Sequence, residues 1–395
     1  MKDTIHTEDN SMEKDTRSTE ESVCTEPAES AAPENDPVPE KGGKRRSKLT
    51  KKGRRKLALA ILIAVPSVLA LIVGISAPVI AVGNDVVVED SAVPNAALTS
   101  WQSYISDSAL IVDMAIPGSH DAACIEMPWY GSTQTLSVYD QLMRGVRYLD
   151  IRVNKTSDGL VIFHSVVNGI QYSRVLDDIA RFMDEHPTEF VIIDFQYFKN
   201  GSEEQVFAML DETVHAEKVV NDGTLSDLDF VNSLTLGDVR GKVLVLATDE
   251  SDYDGRDYIF RRAESSSVNP DTVLYSPYNR SKSIAVTNSY IEKTLPYYLD
   301  AVNGIRDGLT VLQAQRTDAI GLRGPRMLEA KAEEGISDFV LSLAESDKLD
   351  GVNIVMRDFI TCKKTAEIVL LNLAKGLVVE AQAEDFRTAV SENLA

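Results

Sequence analysis

Short apolar runs alternate with longer amphipathic stretches from about residue 100 to the end of the chain. The runs have the composition of buried strands, while stretches such as Tyr172–Glu185 and 203–214 repeat apolar positions with helical spacing. About eight strands that alternate with helices over roughly 290 residues predict an α/β fold, a TIM-type (β/α) barrel with parallel strands. The predicted strands are residues 109–114, 146–152, 160–163, 190–195, 242–247, 272–275, 309–314 and 352–359.

The first part of the chain follows a different pattern. Residues 1–40 contain no sustained apolar pattern and are rich in Glu, Asp, Ser, Thr and Pro, which is typical of a disordered segment. A dense basic run, KGGKRRSKLTKKGRRK, occupies residues 41–56. It is followed by an almost wholly apolar stretch at 57–82, long enough to cross a bilayer as a helix, which takes about 20 residues.

This arrangement predicts the domain organisation and the topology. We expect a cytoplasmic, disordered tail at 1–56, acidic and then basic, and a transmembrane anchor at 57–83. A linker at 84–99 and a catalytic barrel at 100–395 would follow outside the cytoplasm, as in a single-pass protein of the cell membrane. A cleaved signal peptide is the alternative, although its apolar region usually has only about 7–15 residues.

The charge of the chain limits which partners it can bind, and its cysteines bear on disulfides and zinc. The net charge of −21 falls almost entirely on the barrel, because the first 56 residues hold 13 Lys or Arg against 12 Asp or Glu. A strongly acidic domain argues against a nucleic-acid partner and against electrostatic adsorption to anionic lipid. Cys24 is predicted to be cytoplasmic. Cys124 and Cys362 are expected to be buried thiols, with a disulfide between them as the alternative, and no Cys/His spacing indicates zinc.

The candidate chemistry lies in the stretch AIPGSHDAA and in the two runs that follow it. His120 and Asp121 enter a loop after the predicted strand 109–114, which Pro117 and Gly118 are expected to end. Asp150 and Arg152 lie two apart on a predicted strand and therefore on one face. His164 follows another apolar run. Two histidines, two acids and an arginine at strand ends suit acid–base cleavage of a phosphate ester, although His120 alone could be an ordinary loop histidine.

Six stretches carry a specific resemblance. AIPGSHDA, QLMRGVRYLDIRV, VIFH, HPTEFVIIDFQYF, LGDVRGKVLVL and VNIVMRDFI occur in this order between about residues 100 and 361. They resemble the X domain of phosphatidylinositol-specific phospholipases C, in the bacterial and X domain-containing branch. The resemblance implies a distorted (β/α) barrel with its site at the carboxyl ends of the strands. It also implies cleavage of phosphatidylinositol-type lipids to diacylglycerol and inositol cyclic phosphate.

The resemblance assigns roles to individual residues. His120 resembles the general base that takes the proton of the inositol 2-hydroxyl, and Asp358 the acid that orients this base. His164 resembles the general acid that protonates the leaving diacylglycerol oxygen, with Asp121 assisting it. An intramolecular nucleophile removes much of the entropic cost of attack.

Arg152 and Asp150 bear on the question of metal. The resemblance places Arg152 against the non-bridging phosphate oxygens, with Asp150 beside it. Calcium-dependent relatives carry a second acid at the position of Arg152, since calcium needs oxygen ligands. A guanidinium provides the compensating charge without an ion. We therefore expect metal-independent cleavage, with no metal and no cofactor.

Substrate-binding residues are expected at other strand ends. The candidates are Asp194, Gln196, Tyr197, Tyr275, Ser276, Gln313 and Gln315. The sequence lacks some of the basic residues with which secreted bacterial enzymes hold the headgroup. The substrate could therefore be another glycerophosphodiester or a glycolipid anchor. A non-catalytic surface barrel that binds a ligand is the remaining alternative, which the complete set of catalytic residues disfavours.

Overall fold

The computed structural model describes residues 92–248, 253, 256–263, 268–277, 293–305, 307–316 and 324–394. The predicted tail, the predicted membrane span and residues 84–91 of the predicted linker lie outside these ranges. Within them, no helix combines the length and the apolar character needed to cross a bilayer. The membrane anchor therefore stays a prediction.

Eleven strands form one sheet in the described part of the chain. They are β1 Ile116–Ser119, β2 Tyr148–Thr156, β3 Gly159–His164, β4 Val167–Gln171, β5 Val191–Lys199, β6 Glu217–Lys218, β7 Lys242–Thr248, β8 Ile259–Ala263, β9 Leu274–Tyr275, β10 Leu309–Gln313 and β11 Ile354–Arg357. Eight of them pair in parallel in the order β1, β2, β5, β7, β8, β9, β10, β11, and β11 returns to β1. The sheet is therefore a closed parallel barrel, which confirms the predicted TIM-type fold.

Helices surround the barrel. Those of the described residues are Ala96–Thr99, Val138–Met143, Tyr172–Glu185, Glu203–Thr213, Asp227–Ser233, Leu236–Val239, Leu295–Asn303, Pro325–Ser342, Cys362–Val369, Leu371–Ala374 and Ala383–Ser391. Short 3-10 turns are found at Trp101–Tyr104, Leu343–Glu345, Leu349–Gly351, Glu380–Gln382 and Glu392–Leu394. The helix Tyr172–Glu185 forms because its apolar residues recur every three or four positions, and this face is buried against the sheet.

The alternation of side chains along the strands separates the core from the site. Leu149 and Ile151 of β2 belong to the apolar cluster that includes the helix Tyr172–Glu185, outside the barrel. Tyr148 belongs to a second cluster, with inward residues of other strands. Because neighbouring residues of a strand point to opposite faces, Asp150 and Arg152 share the inner face with Tyr148. The pattern thus directs both side chains toward the mouth of the barrel.

The strand predicted at 109–114 is wrong. Those residues form turns whose apolar side chains belong to the inner cluster at the amino end of the barrel, and the first strand is β1, which contains Pro117 and Gly118. A Cβ atom on Gly118 would lie 3.0 Å from Ile354 Cγ2 and from Tyr148 Cδ1, so glycine permits the close approach of the neighbouring strands. His120 nevertheless follows a strand, as predicted.

Two further differences concern the strands, whereas the cysteines agree with the prediction. The run at 160–163 is a strand, but β3 pairs antiparallel with β2 and β4 pairs antiparallel with β3, so both lie outside the parallel barrel. Strand β8 was not predicted at all. Cys124 and Cys362 are buried thiols, as expected. Their Sγ atoms contact different partners, the carbonyl oxygens of Phe163 and Ala92 respectively.

Candidate active site

Neighbouring strands bring all six predicted catalytic residues to one place. His120 and Asp121 follow β1, Asp358 follows β11, and Asp150 lies within β2. Strand β1 pairs with β11 on one side and with β2 on the other, so their carboxyl ends meet. Arg152 and His164 are added by the far part of β2 and by the antiparallel strand β3. The fold therefore brings these six side chains together at the carboxyl ends of the strands.

His120 is held by its backbone and by one ring nitrogen. Its Nδ1 atom lies 2.7 Å from Oδ1 of Asp358. Because an ionised carboxylate only accepts hydrogen bonds, Nδ1 carries the proton and Nε2 is the nitrogen that gains or loses one. The side-chain amide of Gln134 donates to the carbonyl oxygen of His120 at 3.0 Å and to that of Arg357 at 3.2 Å. The ring orientation is therefore fixed.

The charges around His120 favour its protonated form. Burial by itself lowers the pKa of the imidazole, but Asp121, Asp358 and Asp150 together raise this pKa to about 9. Burial also raises the pKa of Asp358, against the opposing effect of His120. In the free protein at neutral pH, His120 and its carboxylate neighbours therefore form a compact ionic group.

Asp121 lies between the two histidines. Its Oδ2 atom is 3.4 Å from Nε2 of His120 and 3.7 Å from Nε2 of His164. Its other oxygen, Oδ1, is 2.8 Å from Nε of Arg152. Burial by itself raises the pKa of Asp121, but Arg152 and the two histidines hold this pKa below its usual range. The carboxylate thus stays ionised beside both imidazoles.

The backbone at Asp121 is in the left-handed region, with φ of 42°. A non-glycine residue adopts this conformation at an energetic cost and only where its surroundings impose it. Here the Thr133 hydroxyl donates to the Asp121 carbonyl oxygen at 3.0 Å, and the Asp121 amide donates to Oδ2 of Asp150 at 3.2 Å. These bonds fix the carboxylate between the two rings.

His164 presents the same ring nitrogen to the site as His120. Its Nδ1 atom lies 3.0 Å from the carbonyl oxygen of Gly131. A carbonyl oxygen only accepts, so Nδ1 carries a proton and Nε2 is the ring nitrogen that faces Asp121. The side chain is 23% exposed, compared with 9% for His120. His164 is thus the histidine that is more accessible from solvent.

Arg152 contacts the carboxylates of Asp121 and Asp150 and also lines the neighbouring cavity. Besides its contact with Asp121, its Nη2 atom lies 3.5 Å from Oδ2 of Asp150 and donates to the side-chain oxygen of Gln196. The pairing of β2 with β5 shifts register between Ile151 and Arg152, and such a bulge re-aims side chains. The predicted substrate residue Gln196 is therefore also a partner of Arg152.

One group of side chains has the spacing of metal ligands. The ligand atoms of His120, Asp121 and Asp150 all lie within 4.8 Å of one another. The Arg152 guanidinium contacts both carboxylates of this group and already provides a positive charge there. Arg152 thus contacts Oδ1 of Asp121 and Oδ2 of Asp150, which is one oxygen of each carboxylate in this group.

A cavity of about 770 Å³ opens beside Arg152. Its described lining residues include Gln196, Tyr197, Ser276 and Gln313 of the predicted substrate set. The other lining residues are Arg152, Phe163, Ser165, Phe198, Lys199, Asn200 and Arg262. Among the lining residues that the structure describes, the charged side chains are those of Arg152, Lys199 and Arg262, and all three are cationic, in a protein with a net charge of −21. An anionic ligand suits this cavity.

The remaining predicted substrate residues lie behind the lining. The amide of Gln315 donates to Oε1 of Gln313 at 3.3 Å, and the amide of Gln313 donates to the Ser276 hydroxyl at 2.9 Å. Gln315 thus supports a lining residue. Tyr275 belongs to the apolar cluster that packs against the helix Leu295–Asn303. Its predicted contact with substrate is therefore not favoured by its position.

Arg262 of β8 also lies at this site, although it is not among the predicted residues. Its Nε atom lies 3.0 Å from Oδ1 of Asp194, whose other oxygen accepts a hydrogen bond from the Tyr148 hydroxyl. Asp194 is fully buried, and this burial raises its pKa to about 6 although Arg262 opposes the rise. Of this pair, Arg262 lines the cavity. The signal available in the sequence was the pair of arginines within IFRRA.

Comparison with known proteins finds a match to part of the chain. Residues 110–248 match the family model "Phosphatidylinositol-specific phospholipase C, X domain". This part of the chain is therefore similar to the X domain of that family. The matched residues include five of the six predicted catalytic residues, and Asp358 lies beyond them. Arg262, also beyond the match, joins the X domain through its contact with Asp194.

The chain is similar to two bacterial proteins named 1-phosphatidylinositol phosphodiesterase. The chain is 27% identical over 276 residues to a 1-phosphatidylinositol phosphodiesterase from Listeria monocytogenes, covering 66% of this chain and 80% of the relative. It is 24% identical over 160 residues to a protein of the same name from Staphylococcus aureus, covering 37% of this chain and 49% of the relative.

The two solved structures are phosphatidylinositol-specific phospholipases C from the same organisms. The Listeria monocytogenes structure superposes with a TM-score of 0.56 and 22% identity, covering 70% of this chain and 98% of the other. A Staphylococcus aureus structure that contains pentafluoro-Phe gives a TM-score of 0.51 and 16% identity, covering 67% and 91%. At these identities the likeness shows the fold of the X domain.

Proposed function

We propose that this chain is a phosphodiesterase that cleaves phosphatidylinositol-type lipids to diacylglycerol and inositol cyclic phosphate. The observation that carries the proposal is the position of Asp121 between Nε2 of His120 and Nε2 of His164, with Arg152 on its other oxygen. Two imidazole nitrogens and a cation in one site are what proton transfer to and from a phosphodiester requires. The names of the bacterial relatives support the same substrate class.

The reaction follows from the roles that the geometry allows. The base is the unprotonated form of His120, which is the minor form in the free protein at neutral pH because the pKa of this imidazole is about 9. Its Nε2 atom accepts the proton of the headgroup hydroxyl next to the phosphate, and the resulting oxygen attacks phosphorus. Arg152 balances the negative charge on the non-bridging oxygens. The protonated Nε2 of His164 gives its proton to the diacylglycerol oxygen as the phosphorus–oxygen bond breaks. The products are diacylglycerol and a cyclic phosphate, and no water is consumed.

His120 and His164 suit different halves of this reaction. His120 is the more buried and is backed by Asp358, which stabilises the imidazolium formed when the base takes a proton. His164 is the more exposed, as befits a group that meets the leaving lipid portion. We further propose that no metal takes part, because Arg152 compensates the charge that a cation would otherwise balance.

We propose that the enzyme is held at the cell membrane by residues 57–83, with its N-terminus in the cytoplasm and its barrel outside. The apolar length of this segment and the basic run before it support the proposal. Protease added to intact cells should remove the barrel and spare the tail. Full protection of the chain would reject this topology.

The reaction is tested with the purified full chain and a panel of phosphodiester lipids, with products followed by phosphorus NMR. We expect a cyclic phosphodiester signal from phosphatidylinositol, and none with His120→Ala. If the chain instead cleaves a different glycerophosphodiester or a glycolipid anchor, the proposed substrate is wrong and the proposed mechanism still stands. A folded chain that cleaves no member of the panel would support a non-catalytic binding barrel.

A further inference from the structure

A group of charged side chains is buried beneath the candidate site. It consists of Glu329 from the helix Pro325–Ser342, Arg357 from β11, and Lys364 and Glu367 from the helix Cys362–Val369, and all four are fully buried. We call these four residues the buried charge cluster. Lys364 Nζ lies 2.7 Å from Glu329 Oε1, Arg357 Nη2 lies 3.4 Å from the same atom, and Arg357 Nη1 lies 3.6 Å from Glu367 Oε2.

The stability of the fold does not explain why these four charged side chains are buried. Two cations and two anions balance in charge, but removing ions from water costs so much that well-packed apolar residues often stabilise a fold equally well. The helix Cys362–Val369 could bury an apolar side chain at position 364 at no such cost. The presence of Lys364 there therefore suggests that its ammonium group makes a specific contact.

That contact is with the turn that carries Asp358. Besides Glu329, Lys364 Nζ donates to the carbonyl oxygens of Asp358 at 3.0 Å and Phe359 at 2.8 Å. These three bonds match the three protons of an ammonium group. Phe359 has φ of 47°, a strained conformation for a bulky residue, and its amide donates to the Thr133 carbonyl oxygen at 2.8 Å.

The same turn holds His120 from two directions. The Asp358 side chain contacts Nδ1 of His120 at 2.7 Å, and the His120 amide donates to the Arg357 carbonyl oxygen at 3.1 Å. We propose that Lys364 is a positioning residue for His120, because its buried ammonium fixes the turn after β11 so that Asp358 holds the imidazole. Its kinetic consequence rests on the proposed function, whereas its structural consequence does not.

The structural consequence is measured by NMR titration of His120 in the histidine-labelled full chain. Asp121, Asp150 and Asp358 face this imidazole, with Arg152 behind Asp121. Removing the positive charge of Lys364 would by itself raise the pKa of a nearby imidazole. Loss of the Asp358 contact has the opposite effect. The Asp358 contact is direct, whereas Lys364 lies behind it, so the loss of this contact should have the larger effect. We therefore expect Lys364→Met to lower the pKa of His120 from about 9, while Asp121 and Asp150 still hold this pKa above the ordinary value of roughly 6.5.

The adjacent Lys363 is exposed and provides a matched control. Lys363→Met should leave both the titration of His120 and the turnover unchanged. In Lys364→Met, kcat on the lipid substrate should fall roughly tenfold to a hundredfold, as expected for a misplaced base, while KM changes little. An unchanged or raised pKa of His120 together with normal kcat in a folded Lys364→Met protein would overturn the proposal.

A second variant covers the case in which Lys364→Met does not fold because Glu329 is left buried without this partner. Lys364→Met/Glu329→Gln removes one charge of each sign, and the same titration then applies. Unfolding of both variants would count against the proposal, since it would assign Lys364 a purely structural role. A lowered pKa of His120 in a chain that cleaves no lipid would keep Lys364 as a positioning residue and reject the proposed function.

Discussion

The Nε atom of Arg262 lies 3.0 Å from Oδ1 of Asp194, and the arginine lines the cavity while the aspartate lies behind it. The two residues come from β8 and β5, which are separated in the barrel by β7. The Tyr148 hydroxyl holds the second oxygen of the same carboxylate. A buried acid fixed on two sides thus orients a cation toward the space next to Arg152, where the headgroup of an anionic lipid would lie.

We expect Arg262→Gln to weaken substrate binding more than turnover. A hydrogen bond from a charged group contributes about 1.5–3 kcal/mol, which corresponds to a rise in KM of roughly tenfold to a hundredfold. Losing Arg262 also removes the group that opposes the rise in the pKa of Asp194. Steady-state kinetics check the KM, with the exposed neighbour Arg261→Gln as the control. Unchanged KM in a folded Arg262→Gln protein would remove the arginine from the binding site.

The contact between Arg262 and Asp194 could not be predicted from the sequence. Strand β8 was missed because Arg261 and Arg262 interrupt its apolar pattern, and the reason Arg262 tolerates burial is Asp194, distant in sequence. The run at 109–114 has the apolar composition of a buried strand, and composition of this kind does not distinguish a strand from a buried turn. The position of His120 could be predicted because its motif places it in the loop after a strand. This placement holds even though the predicted bounds of that strand are wrong.

The raised pKa of His120 predicts how stability depends on pH. The imidazole has a pKa of about 9 in the fold, against roughly 6.5 in an unfolded chain. Its contribution, up to about 3 kcal/mol, is therefore fully present below pH 6.5 or so and is lost as the pH rises through about 9. The deficit of His120→Gln in thermal unfolding should be larger near pH 6 than near pH 10. The exposed His215→Gln should show no such trend, and a deficit in His120→Gln that does not vary with pH would contradict the raised pKa.

Arg152 makes a prediction about metal. Because its guanidinium contacts both Asp121 and Asp150, cleavage should persist in the presence of EGTA. Arg152→Gln should lower kcat by roughly 10²–10³-fold, the usual effect of removing a group that stabilises transition-state charge. The exposed Arg174→Gln is the matched control. Loss of activity on chelation, with recovery on adding calcium, would reject the role of Arg152 as the compensating cation.

The close packing around Gly118 predicts that a side chain at this position destabilises the barrel. An added Cβ would lie 3.0 Å from Ile354 Cγ2 and Tyr148 Cδ1 and 3.3 Å from Met356 Cα. Gly118→Ala should therefore destabilise the barrel by about 1–3 kcal/mol, as overpacking of a core usually does. Gly131→Ala is the control, since its nearest neighbours would lie at 3.5 Å or beyond. Equal unfolding midpoints for the two variants would show that the strands can move apart without cost.

The final prediction separates the two histidines by the chemistry each would perform. His120 and His164 both direct Nε2 toward Oδ2 of Asp121, so their positions alone do not show which one is the base. Either change to Ala should lower lipid cleavage by about 10²–10⁴-fold without unfolding the barrel. An aryl phosphodiester of inositol has a leaving group that needs no proton. His164→Ala should therefore recover much of its activity on this substrate.

His120→Ala should not recover on the aryl substrate, because its hydroxyl nucleophile still has to lose a proton. Circular dichroism confirms that both variants are folded, and the exposed His215→Ala serves as the matched control on both substrates. Recovery in His120→Ala instead of His164→Ala would show that the two roles are reversed. Near-normal lipid cleavage by a folded His120→Ala protein would defeat the mechanism altogether, since no other histidine in the described part of the chain contacts Asp358.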